Sequence, residues 1–473
     1  MKHRPSLLLL TVALAGCTLG PDYQRPAVSI PPAFQEAQEW KPAAPGMPAI
    51  DPEIWSGFHD TVLTALLAQA RVANPGVQSA EAAVRAAQAV LAEARAAYFP
   101  VLGAGFSGLR SGSGSTFPDM TATHLGANAS WELDLWGSVR RSVEAGTANA
   151  AASATDYAAA ILSTEGTVAQ TYMQLRVDEA NKRLLESTVL AYAHALEITR
   201  SRYKAGVASR LDVAQAETLL KSIQTSAVTI EVQIHQLQHA LAVLVGQSPA
   251  MFRLAARSTL PELPIIPAVL PTQLLERRPE VSSAERRVVA ANAQIGIAET
   301  AYFPGLNLAA SAGFQGSTLA NLGALPFGIW SVGPALAETL FDGGLRAAQV
   351  AAARAVWEQS TAAYRQTVLA AFQNVEDNLA ALRIESQALV LADNAASAAL
   401  QAQTLALKQY KAGTVSYLNV TTAQTSVLTT AQAALNIRGQ RLVASVLLIE
   451  ALGGGWQAAP SQSAPPPAAI PRA

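Results

Sequence analysis

His235 and His239 stand one helical turn apart, with Glu231 a further turn back, so on a helix the three could form half of a zinc site. The stretch HQLQH lacks the glutamate of HExxH, and a solvated or helix-contacting face explains the pair better; no metal is expected. Gly103-Ala104-Gly105-Phe106-Ser107-Gly108 fits GxGxxG. A glycine-rich turn and another strand are expected after it, whereas a dinucleotide needs a helix N-terminus at that place. No remaining histidine adjoins a serine or cysteine in a nucleophile setting. These residues point away from an enzyme, and no cofactor is expected.

One side chain does carry a chemical expectation. Cys17 is the only cysteine of the 473 residues and closes Leu14-Ala15-Gly16-Cys17. Lys2 and Arg4 precede the apolar run LLLLTVALAG, the pattern of a secretory signal peptide and too short to span a bilayer. The tetrapeptide resembles the bacterial lipobox, in which the chain is cut before the cysteine and the cysteine is acylated. Residues 1–16 are then the signal peptide and Cys17 the lipidation site; a stray thiol is the alternative. Several acyl chains make a stable anchor where one is marginal. Thr18, in a place where the lipoprotein sorting rule keeps Asp in the inner membrane, favours the outer membrane.

The rest of the chain is written twice. YKAG occurs at Tyr203–Gly206 and again at Tyr410–Gly413, and VASRLDVAQAET after the first copy matches TVSYLNVTTAQT after the second. PGVQSAEAAVRAAQAVLAEARAAYFP from Pro75 matches PEVSSAERRVVAANAQIGIAETAYFP from Pro279, and DLWGSVR from Asp134 resembles TLFDGGLR from Thr339. A period this long means two copies of a whole substructure, not a short solenoid. The expected division is an N-terminal extension over 17–57, a first repeat over 58–250, a linker over 251–270 and a second repeat over 271–454. A Pro/Ala-rich tail over 455–473 has no apolar periodicity and reads as disordered.

Each repeat predicts a long helical hairpin. From Ser138 to about Tyr203, and from Arg346 to Tyr410, there is no proline and apolar residues recur at helical spacing. Roughly 65 residues make a helix of about 100 Å. Gly206 and Gly413 supply the positive φ that ends these helices, and Ser209 and Ser416 can N-cap the next ones. The returning arms, 209–245 and 416–452, are short. They match the outgoing ones only if the helices at 76–98 and 280–302 stack on their ends.

Pro100 and Pro304 stop those helices, and period-two alternation comes next. Leu125, Ala127, Ala129, Trp131 and Leu133 interleave with Gly126, Asn128, Ser130 and Glu132; Leu306, Leu308, Ala310, Ala312 and Phe314 interleave with Asn307, Ser311 and Gln315. About ten residues of such alternation marks an outer-membrane β-strand, although an ordinary half-buried hairpin alternates too. Four strands cannot close a barrel in lipid, so several chains must share one. With 14% charged residues and a net charge of −1, no nucleic-acid partner is expected.

The lipobox followed by GPDYQRP, the IWSGFHD around Trp55, LLERRPEVSSAE from Leu274, the two AYFP segments, LFDGG from Leu340 and ALGGGW from Ala451 together resemble the lipid-anchored outer membrane factors of TolC-like efflux systems. The resemblance implies a mainly α fold with a membrane β-hairpin part. It implies a homotrimer whose twelve-stranded β-barrel, set in outer-membrane lipid, continues into a twelve-helix periplasmic tunnel. The partners would be a periplasmic adaptor (membrane fusion protein) and an inner-membrane pump, usually of the resistance-nodulation-division class. The function would be that of a passive exit duct for small molecules. A lipid-tethered periplasmic scaffold without a pore, or the duct of a protein secretion system, are the alternatives.

The same resemblance assigns roles at the bends. Gly206, Ser209, Leu211, Gly413, Ser416 and Leu418 match positions where the family's tips receive the adaptor, with the glycines open to a purely conformational role. The family often shuts its tunnel with aspartate rings just after the second bend, but here those positions are Asn419 and Thr422. The expected gate is one ring of Asp212, supported by hydrogen bonds among Tyr203, Tyr410, Asn419 and Thr422. Asp212 acting as a local cap is the other reading.

Overall fold

The computed structural model describes residues 18–36, 54–112, 120–257, 259–264, 266, 278–316 and 328–454. Cys17, the signal peptide and the tail lie outside the described residues, as do residues 267–277 ahead of the second repeat's first helix. After a 3-10 turn at Ile54–Phe58 come α1 (Thr61–Ala73), α2 (Pro75–Ala96), β1 (Val101–Ser111), β2 (Met120–Leu133), α3 (Ser138–Lys204) and α4 (Arg210–Leu244). The second repeat supplies α5 (Pro279–Thr300), β3 (Gly305–Gly316), β4 (Gly328–Ala337), α6 (Leu345–Ala412) and α7 (Tyr417–Ala451). The helices α3 and α6 run for 67 and 68 residues without a break. Among the described residues no helix is long and apolar enough to cross a membrane.

The compact units cut across the repeats. Among the described residues, one holds Thr18–Ala27 with Ala82–Ala154 and Ser283–Gln366; the other holds those of Val28–Glu81, Thr155–Ser282 and Thr367–Gly454. Each repeat contributes to both, because the long helices pass from one into the other.

The first unit is built on a four-stranded antiparallel sheet in the order β1-β2-β3-β4. Its register pairs Leu125 with Phe314, Ala127 with Ala312 and Trp131 with Leu308, so the apolar stripes of the two repeats fall on one face. Leu102, Phe106, Trp330, Val332 and Leu336 extend that face and are exposed. The opposite face carries Ser107, His124, Asn128, Ser130, Glu132, Asn307, Ser311, Gln315 and Ser331, with Ser130 bonded to Asn307 at 3.1 Å and Ser311 to Ser331 at 2.8 Å. One edge of the sheet is β1 and the other β4, and neither has a partner strand among the described residues.

Below the sheet both long helices start the same way. Asp134 accepts from the backbone N–H groups of Val139 and Arg140 at 3.0 Å, and Asp342 from that of Arg346 at 3.2 Å. The Arg140 and Arg346 side chains return to the same carboxylates. Hydrogen bonding to Arg346 holds the Asp342 carboxyl below its usual range. Residues 18–25 are strapped onto this unit. Buried Arg141 donates to the carbonyls of Leu19 (3.0 Å) and Gly20 (3.1 Å), while Tyr23 and Arg25 both reach Glu285.

In the second unit the short helices meet the returning arms. Asn74 caps the start of α2, accepting from Gly76 N at 2.8 Å, and donates to Leu244 O at the end of α4, also at 2.8 Å. At the matching place in the second repeat, Arg278 pairs with Glu280 at 3.0 Å beside Glu450 of α7. The lengths expected of stacked arms are therefore reached in both repeats. Helix α1 has no separate place in the sequence reading. Asp60 caps it through Val62 N and Leu63 N and also accepts from the Tyr172 hydroxyl (2.6 Å) and Arg257 (2.9 Å). Next to it Arg176, 1% exposed, pairs with Glu179 at 2.6 Å and lies 4.6 Å from the Tyr172 ring centre, a desolvated network that pins residues 255–257 to α3.

Candidate functional site

Both bends are glycine-terminated in the same hydrogen-bonding pattern. Gly206 (φ 74°) and Gly413 (φ 80°) occupy the left-handed region, where a β-carbon is costly. Val207 N and Thr414 N return to the carbonyls of Arg202 and Gln409, each at 3.0 Å. No atom lies within 4 Å of where a Cβ would stand on Gly206, so its requirement is conformational and not one of space.

Beyond the bends the two copies diverge. Ser209 caps α4 in a complete capping box: its hydroxyl accepts from Asp212 N at 3.1 Å, and Asp212 Oδ2 accepts from Ser209 N at 3.0 Å. Ser416 has the same extended backbone but makes no side-chain cap, and Asn419 stands where the carboxylate would be. Such a cap is worth about 1 kcal/mol. Asp212 is half-buried, whereas Asn419 and Thr422 are exposed. The hydrogen-bonded set expected of Tyr203, Tyr410, Asn419 and Thr422 does not form within the chain. Thr422 donates to Leu418 O at 2.9 Å, and the Tyr410 hydroxyl is buried without a partner.

What joins the bends is an aromatic cluster that sequence reasoning missed. Tyr410 and Tyr417 meet edge to face with centroids 5.3 Å apart, packed among Tyr192, Leu196, Leu220 and Val420. Arg202 lies 4.8 Å over the Tyr410 ring and donates to Lys411 O at 2.8 Å, linking the first bend to the second. Burial pushes the Tyr192 and Tyr417 hydroxyls up to about 12, with Tyr410 adding to the effect on Tyr417. Tyr203, the repeat equivalent of Tyr410, is 46% exposed. Because Arg202 and Tyr410 are far apart in sequence and on different helices, only their adjacency to the two YKAG motifs could have pointed to the pair. Val207, Leu211 and Leu418 leave an exposed apolar surface around the bends.

The early chemical candidates resolve simply. His235 and His239 stack at 6.4 Å, and Glu231 is taken by Lys182 at 2.7 Å. No group of three metal-type ligands occurs among the described residues. The GxGxxG stretch lies inside β1, paired along its length with β2.

Comparison with known proteins mirrors the duplication. The sequence profile of a family described as outer membrane efflux protein matches the chain twice, at residues 66–247 and 270–454. The toluene efflux pump outer membrane protein TtgC of Pseudomonas putida is 30% identical over 96% of this chain and 96% of its own length. The cation efflux system protein CusC of Escherichia coli is 31% identical over 95% of this chain and 98% of its own. Among solved structures, the outer-membrane channel OprN superposes with a TM-score of 0.87 at 28% identity, covering 93% of this chain and all (100%) of that one.

Proposed function

The chain belongs to the outer membrane efflux protein family and is the outer-membrane channel component of a tripartite efflux system; from that premise we propose that it is a passive exit duct for small molecules, serving a pump of the resistance-nodulation-division class. The observation that carries the duct reading is the sheet: one apolar face, one polar face and two open edges. Three copies bring twelve strands, enough to close a barrel with lipid outside and water within. Purified protein should be trimeric in mild detergent and conduct ions in planar bilayers. Monomers, or trimers without conductance, would count against it.

Cys17 is proposed as the acylated residue. Supporting this, the strap starting at Thr18 is fixed, with Leu19 N bonded to Trp136 O at 3.1 Å where β2 passes into α3. Cys17→Ser should remove the acyl chains and slow sorting, yet protein reaching the outer membrane should still need detergent for extraction, because the strands hold it. Release of a folded, soluble monomer would rule out the barrel as the second anchor.

The bends are proposed as the adaptor-docking tips, through Gly206, Ser209, Leu211, Gly413, Ser416 and Leu418, and Asp212 as the acidic ring of the gate. The cap engages Asp212 Oδ2, so a gating role has to coexist with it. Three like charges around one axis invite a cation. In planar bilayers, block by divalent cations from the periplasmic side should weaken at least tenfold in Asp212→Asn and strengthen in Asn419→Asp. Block that is unchanged in Asp212→Asn would make the constriction steric.

A further inference from the structure

In the second unit α3, α6 and α7 leave a cavity of about 480 Å³ between them, within the range of roughly 300 to 1,000 Å³ typical of small-ligand sites. Glu385, Gln174 and Asn378 line it beside the aliphatic side chains of Val177, Val443 and Leu447. Helical spacing says which way it faces. Arg176 and Glu179 of α3 hold residues 255 and 257, and the Tyr172 hydroxyl bonds Asp60. On α6, Glu376 accepts from the backbone of Gln35 and Glu36, and Arg383 pairs with the Glu36 side chain. Gln174, Asn378 and Glu385 follow Tyr172, Glu376 and Arg383 by two positions each, which is a turn of about 200° around a helix. The cavity side chains therefore face away from the segments packed on α3 and α6. In a duct that side is the lumen.

The hydrogen-bonding capacity of this wall is one-sided. Asn378 Nδ2 donates to Asn374 O at 2.6 Å, and Gln174 Nε2 to Asp178 Oδ1 at 2.9 Å. Each amide nitrogen is engaged within its own helix, which leaves the amide oxygens as acceptors. Glu385 adds its Oε2, buried without a partner. The duplication marks this as a departure. Asp178 is the equivalent of Glu385, 207 positions earlier, and has Gln174 one turn before it; α6 carries Ala381 in the place of Gln174, so Glu385 lacks that donor. Burial pushes the Glu385 carboxyl up, and Arg441 of α7 pulls it down without a hydrogen bond to Oε2. A desolvated carboxylate with vacant acceptor sites gains most from a ligand that brings both positive charge and N–H donors.

We infer that this cavity receives the ammonium group of an organic amine, with Glu385 as its counter-ion, Gln174 and Asn378 as further acceptors, and Val177, Val443 and Leu447 against its alkyl part. A divalent metal calls for several charged oxygen ligands, and Glu385 is the only carboxylate lining the cavity among the described residues. An anion would meet like charge, and a quaternary ammonium would bring charge without donors. The site deepens the exit-duct reading and rests on it: amines become a class of cargo that the lumen holds on its way out.

Calorimetric titration of the full-length protein in mild detergent with hexylammonium chloride should give saturable binding, with none for hexanoate. Trimethylhexylammonium, of the same charge but without N–H groups, should bind about tenfold more weakly or worse. Glu385→Gln should cost hexylammonium about tenfold or more in affinity, the loss of a hydrogen bond to a charged group. Asn378→Leu should cost less, with the assembly mass of both variants unchanged. Equal affinity in Glu385→Gln, or for the trimethylated amine, would overturn the site. In planar bilayers hexylammonium should lower the single-channel conductance of the unmodified protein and leave that of Glu385→Gln unchanged; binding without this effect would overturn the placement in the lumen. Protein that conducts ions but does not bind hexylammonium would overturn the site and leave the duct standing, whereas protein that binds it and does not conduct would overturn the duct and leave the site.

Discussion

Cells whose only channel carries Leu211→Asp together with Leu418→Asp should be as drug-susceptible as cells without the channel, although the protein still folds and trimerises. Both leucines lie in the first turn after a bend and are 65% and 60% exposed, so the chain itself gains little from them. Exposed positions of this kind change stability by about 0.5 kcal/mol or less. On a docked partner the same residues become apolar anchors, and truncating an anchor of that kind costs about 2 kcal/mol or more. Aspartate adds the desolvation of a charge to that loss. Three chains offer two bends each, so the penalties compound along a multivalent contact and binding falls by several orders of magnitude. Trimer mass in detergent and drug susceptibility in a channel-deleted strain measure the two halves separately. Wild-type resistance from the doubly replaced protein would show that the adaptor does not use these leucines.

Much of this arrangement was legible because the chain says it twice. The 204 to 207-residue shifts located both bends, both β-hairpins and both stacked arms, and a glycine at positive φ after a proline-free run has few meanings. The alternation in β2 and β3 left two readings open. Register closed the question of facing, since period two puts Leu125 and Phe314 on one side only when the strands pair as they do. Repetition was also where legibility failed, because equivalent residues need not have equivalent surroundings. Tyr203 and Tyr410 are the same letter, yet one is exposed and the other buried under Arg202. Helix α1 lies ahead of the Pro75 and Pro279 stretches whose match revealed the repeat, so that match did not expose it. The Ser209-to-Asp212 spacing is itself a capping-box signal, and the structure forms that box within the chain.

Glu450→Gln should stabilise the protein in neutral and alkaline solution and leave it unchanged in acid. Glu450 closes α7 against Gly166, which has no side chain to hold it off, next to the start of α5. The first repeat makes this joint from Asn74, Gly76 and Val243; the second makes it from Arg278, Glu280 and Glu450. Arg278 spends one nitrogen on Glu280, and its Nε and Nη1 are buried without partners, as is Glu280 Oε2. Burial, and then Glu280, push the Glu450 carboxyl up to about 7 from 4.5, against the pull of Arg278. A raised carboxyl means that the folded chain holds a proton which the unfolded chain has already lost. Stability therefore falls as pH climbs from 4.5 to about 7 and is level beyond both limits. Partial exposure reduces the full linkage value, leaving a cost on the order of 2 kcal/mol above neutrality. Glutamine keeps the shape of the protonated acid and removes that cost. Thermal unfolding of detergent-solubilised trimers should give coincident midpoints for the two proteins near pH 4, separating by several degrees at pH 8 with the variant higher. Coincidence at both pH values would mean that Glu450 ionises freely at the joint, and a variant less stable at pH 8 would mean that its negative charge is already used there by Arg278.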